Sequence, residues 1–414
     1  MLPSKFGLDF RPFPHLCENY PVMSRFTLLF ACLLAFLLAC RKENNVVTTI
    51  DPGDEFSNKV ERYLNVPRIP PSYKVQLPTY VKGLFPAAQP NAALAQLGRV
   101  LFYDKKLSKD GAVSCASCHE QAHGFADPVA LSTGVSGLMT TRNSMALGNI
   151  QWFAGMLGLD SLGNAALPLF WDSRAFSVAD QSRAAFTNSH EMGLTMPEVL
   201  AIVQTQPYYS WLFAQATGDT VVTEDRIFTA LTHFMGAMSA NHSKLDAALA
   251  LGGAQPDINI DFQNFTAAEN IGKQLYLAHC VSCHGSVNSI QKIFEANNGL
   301  EKPYIDKGKG AISGKFYENG IFKVPGLRNI ELTAPYMHDG RFKTLEAVVE
   351  HYNSGVIEVF GLHGDLLSYD PITLSYDPKR LNLTETEKQA LVAFLKTMTD
   401  TQLGTDARFS DPFR

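Results

Sequence analysis

A mainly α-helical fold in two halves is what this sequence predicts, and three observations predict it. Apolar residues recur at helical spacing over 197–213, 225–238 and 385–398, the last preceded by Thr384 as an N-cap. No stretch reads as a run of alternating strands. A short unit also occurs twice: Leu97-Gly98-Arg99-Val100-Leu101-Phe102 precedes Cys115-Ala116-Ser117-Cys118-His119, and Ile271-Gly272-Lys273-Gln274-Leu275-Tyr276 precedes Cys280-Val281-Ser282-Cys283-His284. In each copy the glycine is a small residue that would permit a second helix to cross closely. The repeated Leu-Ser-Tyr-Asp-Pro at 367–371 and 374–378 sits among turn formers and is expected to be a surface loop. The Lys/Gly-rich segment 286–320 has no assigned role from its sequence; a docking surface and a plain long loop both remain open.

The Cys-x-x-Cys-His motifs carry the chemistry. Two thiols about one turn apart can each form a thioether to one haem, and the adjacent imidazole can take the iron as proximal ligand. Zinc would need more Cys or His close by. A disulfide would not explain a histidine in the fifth position twice. The expectation is therefore two covalently bound haem c, attached at Cys115, Cys118 and His119 and at Cys280, Cys283 and His284. Four of the seven cysteines are used this way, and Cys17, Cys32 and Cys40 all lie in the first forty residues. A mature body without spare thiols suits an oxidising compartment.

The N-terminus points outward. Arg25 precedes the apolar run Phe26 to Ala39, too short to span a bilayer but suited to a signal-peptide core. It ends in Leu37-Leu38-Ala39-Cys40, which resembles a bacterial lipobox with Cys40 the lipid-modified residue. Residues 1–22 lack signal character and Met23 is the better start. A simple membrane anchor and an ordinary cleaved signal stay open as alternatives. The organisation expected is thus a signal peptide and lipobox over 1–40, a polar tether over 41–60, and two cytochrome c-like domains over 61–255 and 256–414. The expected location is the periplasm, with the membrane met through the lipid anchor alone. A net charge of −5, with no basic cluster and no phosphate-binding glycine loop, argues against nucleic acid as a partner.

From Leu97 to Leu395 the chain resembles the bacterial di-haem cytochrome c peroxidase and MauG family. The resemblance rests on Gly124-Phe125-Ala126-Asp127, Thr141-Arg142-Asn143, Phe170-Trp171-Asp172-Ser173-Arg174, Glu191-Met192-Gly193, Phe322-Lys323-Val324-Pro325-Gly326-Leu327-Arg328-Asn329 and Thr333-Ala334-Pro335-Tyr336-Met337-His338-Asp339-Gly340-Arg341-Phe342. It implies a peroxidatic haem in the first domain and an electron-transfer haem in the second. It also implies roles for Trp171, Gln181 and Glu191, spaced ten and ten as in the family. The tryptophan would lie between the haems, with the glutamine and glutamate over the peroxidatic iron. Cleaving a peroxide needs a base that takes a proton from one oxygen and returns it to the other, and a carboxylate in a dry pocket can do both. His190 is expected to be a neighbour rather than a catalyst, and Arg174 could pair a haem propionate or make a surface salt bridge.

The resemblance departs from the usual pattern at the sixth ligands. The classical peroxidases of the family carry a Gly-His-Gly-like element after the first motif. Here the stretch is Ser132-Thr133-Gly134-Val135-Ser136-Gly137, with Val135 in place of the ligating histidine. A first haem open to peroxide without prior reduction is expected; His123, Met139 and Met145 are the competing ligands. For the second haem the family position falls fourteen residues after His338, on Tyr352. Met337 and His351 are the alternatives. The resemblance further implies one Ca²⁺ held by Asn143 and by the backbone carbonyls of Thr333 and Pro335, hard oxygen donors that suit this ion.

These readings add up to a periplasmic di-haem peroxidase that reduces hydrogen peroxide to water with electrons from a small cytochrome c or cupredoxin. The family also contains homodimers. Two alternatives stand beside it: a MauG-like oxidase that uses high-valent di-haem iron to oxidise residues of a partner protein, and a non-enzymatic di-haem electron carrier.

Overall fold

In chain order the helices are α1 (Ala92–Tyr103), α2 (Val178–Thr187), α3 (Met196–Thr205), α4 (Pro207–Thr217), α5 (Glu224–Ala237), α6 (Lys244–Leu251) and α7 (Ala267–His279). They continue as the short α8 (Val281–His284) and α9 (Lys309–Ser313), α10 (Leu345–Glu350), α11 (Glu385–Lys396) and α12 (Thr401–Thr405). This computed structural model describes residues 55–80, 89–150, 168–253, 255–286 and 293–414. The signal peptide and lipobox reading, with Cys40, lies outside the described residues, as does most of the tether. Residues Gly53–Arg414 group as one compact unit.

Local sequence explains the helix ends. Asn91 caps α1 by accepting from the amides of Ala93 and Leu94. Reciprocal Thr/Glu capping boxes open α3, α7 and α11, the last through Thr384 and Glu387. The single helix expected over 197–213 is two. Gln206 turns extended and α4 restarts at Pro207, because proline has no amide to continue the ladder and disfavours the helical conformation before it.

Two close crossings organise the unit: α1 against α5, and α7 against α11. At the first, a Cβ on Gly98 would stand 2.1 Å from the Ala230 carbonyl oxygen; at the second, one on Gly272 would stand 1.9 Å from that of Ala390. Phe234 and Phe394 flank the two glycines in the same way. The repeat seen in sequence is therefore the same helix crossing, built twice.

Buried apolar side chains gather in two large clusters, one around α1, α4 and α5 and one around α6, α7, α10 and α11. They interleave along the chain: Leu403 and Phe409 belong to the first, Tyr80 and Leu249 to the second. Arg328 ties the second together. Its guanidinium donates to Asp246 at 2.7 Å and to the Tyr80 hydroxyl at 3.1 Å.

Two features differ from expectation. The Leu-Ser-Tyr-Asp-Pro repeats are not loop: β3 (Leu367–Asp370) and β4 (Ser375–Pro378) pair antiparallel, with Tyr369 opposite Tyr376. Four residues are too few for alternation to stand out among turn formers, yet the cross-strand tyrosines, with centroids 5.2 Å apart, suit a strand pair. Segment 286–320 is likewise structured where it is described. It holds β1 (Glu295–Ala296), paired with β2 (Phe322–Lys323), and α9. Its Asp306 grips the Arg142 guanidinium through both oxygens, at 2.6 and 2.9 Å. Among the described residues no helix is long and apolar enough to cross a membrane.

A valine at position 272 should separate α7 from α11 and lower stability by on the order of 1–3 kcal/mol. Thermal unfolding of the Gly272→Val protein checks this; an unchanged midpoint would refute the crossing argument.

Candidate functional site

Each motif histidine is oriented by a backbone carbonyl. His119 Nδ1 meets the Phe125 oxygen at 2.9 Å, and His284 Nδ1 meets the Pro325 oxygen at 3.0 Å. The bond fixes Nδ1 as the protonated nitrogen and leaves Nε2 as the ligating atom, as second-sphere carbonyls do at metal sites. Burial pulls His284 down to about 4 and lowers His119 as well, so both imidazoles are neutral, the form that binds iron. For the first, the chain makes a hard turn. Gly124 and Phe125 both take positive φ, and the Phe125 amide returns to the Glu120 carbonyl at 2.9 Å. A buried phenylalanine in the left-handed region is strained, and its carbonyl is what that strain aims.

Both motifs line one cavity of about 560 Å³, within the range of cofactor sites. The four thiols, Cys115, Cys118, Cys280 and Cys283, are unbridged and half-buried against it. Leu147, Val178, Leu231 and Leu391 are among its apolar walls, and Arg174, Lys323 and Lys379 add cations. Apolar walls, paired thiols, an oriented neutral imidazole and cations for carboxylates are what a c-type haem requires, so the residues fit. A zinc site fits less well. Cys283 has ligand atoms of His363 and Asp365 within 4.8 Å, but that is three ligands where structural zinc takes four.

The expected chemical residues converge on the same cavity. Gln181, on α2, lines it, as do Trp171 and Glu191. Trp171 is pinned from both sides: its indole N–H donates to the Asn143 carbonyl at 2.9 Å, and its own carbonyl accepts the Lys323 amide at 2.7 Å. Burial raises the Glu191 carboxyl above its ordinary value, opposed by a 2.7 Å bond from Asn188 Nδ2 and by the nearby Arg174. Arg174 also pairs with Asp172 at 2.8 Å and stacks on Phe170 at 3.5 Å. His190 lines the cavity too, with Nδ1 on the Met139 carbonyl at 2.8 Å.

Of the positions weighed as a sixth ligand to the first haem, most point away. Val135 is buried outside the cavity, its side chain on Gly193 and its amide on the Glu191 carbonyl at 3.0 Å. His123 faces Glu120 at 3.7 Å, and the Met139 sulfur accepts from Thr133 at 3.4 Å; neither lines the cavity. Met145 does line it. At the second motif, Tyr352 and Met337 both line the cavity and share Asn298, whose Nδ2 lies 3.4 Å from the phenol oxygen and 3.6 Å from the sulfur. Tyr352 sits in a single π-type turn, His351–Gly355, and burial pushes its phenol up to about 12. Met337 holds a φ of +73°. His351 is turned away, its Nε2 on the Asn298 carbonyl at 3.1 Å. Asn143, Thr333 and Pro335 line the cavity as well, with Asn143 Nδ2 committed to the Val129 carbonyl at 3.0 Å.

Comparison with known proteins agrees with this arrangement. Residues 92–253 match the family model for di-haem cytochrome c peroxidase. Cytochrome c551 peroxidase of Nitrosomonas europaea is 33% identical over 322 residues, 75% of this chain and 81% of that protein. The chain belongs to the di-haem cytochrome c peroxidase and MauG family. Its relatives include both branches: methylamine utilization protein MauG of Methylophilus methylotrophus is 27% identical over 331 residues, 80% of this chain and 89% of that protein. A crystal structure of a MauG-like protein associated with microbial copper homeostasis superposes with a TM-score of 0.62 at 29% identity, covering 84% of this chain and 98% of that one. Membership makes this an oxidoreductase family; its two branches leave the reaction to be decided.

Some functional groups escape a sequence reading. The Phe125 and Pro325 oxygens are backbone atoms, so Gly-Phe-Ala-Asp and Val-Pro-Gly mark the family without naming what they do. Asn298 carries no motif signal of its own, and Lys323 stands within a family motif that does not name its role. Burial alone brings the Lys323 ammonium down to about 8.

Covalent attachment has a direct check. Replacing Cys280 and Cys283 together by alanine should halve the haem absorbance that survives acidic acetone extraction. Full retention would count against the second motif as an attachment site.

Proposed function

We propose that this protein is a di-haem peroxidase that reduces hydrogen peroxide to water, with one haem c attached at Cys115, Cys118 and His119 and a second at Cys280, Cys283 and His284. The observation that carries the reading is a half-buried carboxylate, Glu191, on the wall of the cavity that the first motif lines. The haems, when bound, supply the redox chemistry; the chain supplies position and proton movement. Glu191 accepts a proton from the peroxide oxygen that binds and delivers it to the oxygen that leaves as water. The Gln181 amide orients the peroxide by hydrogen bonding. Trp171, held at both its indole and its carbonyl, is the aromatic bridge for electrons passing from the second half to the first.

The burial of Val135 outside the cavity supports a first haem without a protein sixth ligand. Tyr352, at the cavity wall near Cys280 and Cys283, is the proposed sixth ligand of the second haem, with Met337 as its alternative. A calcium ion on Asn143 Oδ1 and the Thr333 and Pro335 carbonyls would steady the wall between the motifs. Electrons come from a small cytochrome c or cupredoxin. The lipobox-like Leu37-Leu38-Ala39-Cys40 supports a periplasmic protein anchored by lipid at Cys40, and the homodimer of family members is the assembly to look for. A second reading, MauG-like oxidation of a partner protein, is favoured by Tyr352 itself, since a phenolate is a hard donor that stabilises oxidised iron.

Peroxide turnover with a reduced small cytochrome c tests the proposal. Glu191→Gln should lower the rate by about 10²–10⁴-fold, the usual worth of a positioned acid–base group. A simple electron carrier would be indifferent to that change. Peroxide that alters the haem spectrum without turnover would favour the partner-oxidising reading. Only ionised Glu191 can accept a proton, and burial raises its pKa. The wild-type rate should therefore fall on acidification at a pH above the ordinary glutamate value of about 4.3, and the limb should vanish in Glu191→Gln. Separately, Tyr352→Phe should change the spectrum of the second haem and raise its reduction potential. An unaltered spectrum would remove Tyr352 as ligand.

A further inference from the structure

Asn188 ends α2 and organises the loop that carries Glu191. Its backbone oxygen accepts from the amides of Glu191 at 3.0 Å and Gly193 at 2.9 Å. Its side chain makes two further bonds with opposite polarity: Oδ1 accepts the His190 amide at 2.9 Å, and Nδ2 donates to Glu191 Oε1 at 2.7 Å. The carboxamide is thus spent on both ends, and flipping it would lose both bonds. The loop is also clamped from behind. The Val135 amide holds the Glu191 carbonyl, and Lys109 N holds that of Met192 at 2.8 Å. A Cβ on Gly134 would lie 2.0 Å from the His190 oxygen, so only glycine allows this approach. With its backbone fixed, the remaining freedom of Glu191 is its side chain, and Asn188 Nδ2 is the hydrogen-bond donor to it.

We infer that Asn188 is a positioning residue that holds the Glu191 carboxyl aimed into the cavity. The inference rests on Glu191 as the proton acceptor of the proposed reaction. A donor at 2.7 Å favours the charged form of a carboxyl, against the burial that favours the neutral one. Among the described residues, the titratable and charged groups that face Glu191 are Arg174, on the segment before α2, and His190 beside it; the Cys115 and Cys118 thiols also approach it. Arg174 is shared with Asp172, and His190 with the Met139 carbonyl. Asn188 therefore contributes a short bond that neither Arg174 nor His190 replaces.

Asn188→Asp tests this in the full-length, haem-loaded protein. The aspartate keeps the shape and can still accept from His190, so the loop should survive. It cannot donate when ionised, and it sets a second carboxyl against Glu191, so the pair shares a proton and titrates at a raised apparent pKa. The acid limb of peroxide turnover should move up by about one unit or more. The infrared C=O band of the protonated Glu191 carboxyl, identified by its loss in Glu191→Gln, should persist to correspondingly higher pH. Asn188→Ala gives the same infrared readout should the aspartate variant not fold, with a smaller upward shift. A limb and band that stay at wild-type pH in the Asn188 variants, while Glu191→Gln abolishes them, would overturn the inference and leave the base role intact. A wild-type limb that persists in Glu191→Gln would instead remove the base role, and the inference with it.

Discussion

The site depends on one repeated interaction: a backbone carbonyl that accepts from the Nδ1–H of the histidine ending each Cys-x-x-Cys-His motif. That bond chooses the tautomer, sets the plane of the ring and leaves Nε2 for iron. It also explains why the surrounding loops are shaped as they are. Phe125 takes a left-handed backbone so that its carbonyl can face His119, and Pro325 reaches His284 from the segment whose neighbours pair with Trp171. The glycine-mediated crossings of α1 with α5 and α7 with α11 then hold each motif against its own apolar cluster.

From that shared plan the two halves diverge in what they add. The first brings a loop, 188–193, that presents a half-buried carboxyl, and packs Val135 behind that loop rather than into the cavity. The second brings Tyr352 and Met337 to a common asparagine, where either could meet a metal. One half thus offers a carboxyl that suits proton movement, and the other offers side chains that suit a metal. Trp171 lies where they meet, its ring fixed by Asn143 and its backbone by Lys323. The division of labour follows from which side chains the loops carry, because the helical frame is the same in both.

Much of this is legible in the sequence, and the reasons are physical. The glycines at 98 and 272 stand out because each sits in the repeated unit that precedes a Cys-x-x-Cys-His motif, and only a residue without Cβ permits those crossings. Thr384 announces α11 because an N-cap threonine stands just before apolar residues at helical spacing; its capping box with Glu387 is seen only in the structure. The convergence of Trp171, Gln181 and Glu191 on one cavity is foreshadowed by their even spacing within the family pattern. Pro207 is also visible, but apolar periodicity running through it masks the break between α3 and α4. The hairpin of β3 and β4 is hidden for a different reason: its strands are four residues long and largely exposed, so no buried face imposes a pattern. Carbonyl acceptors leave no side-chain signature at all. Asn188 and Asn298, whose importance lies in what their amides touch, look like ordinary loop asparagines until the chain is folded.

The most direct test is rapid mixing of hydrogen peroxide with the resting, fully oxidised protein in the absence of any reductant. With Val135 packed away from the cavity, the account predicts that one haem reacts at once, at a rate proportional to peroxide concentration. A resting protein that stays inert until one electron is added would contradict it. That result would mean a protein ligand closes the first haem in the oxidised state, with Met145 on the cavity wall the residue to replace first.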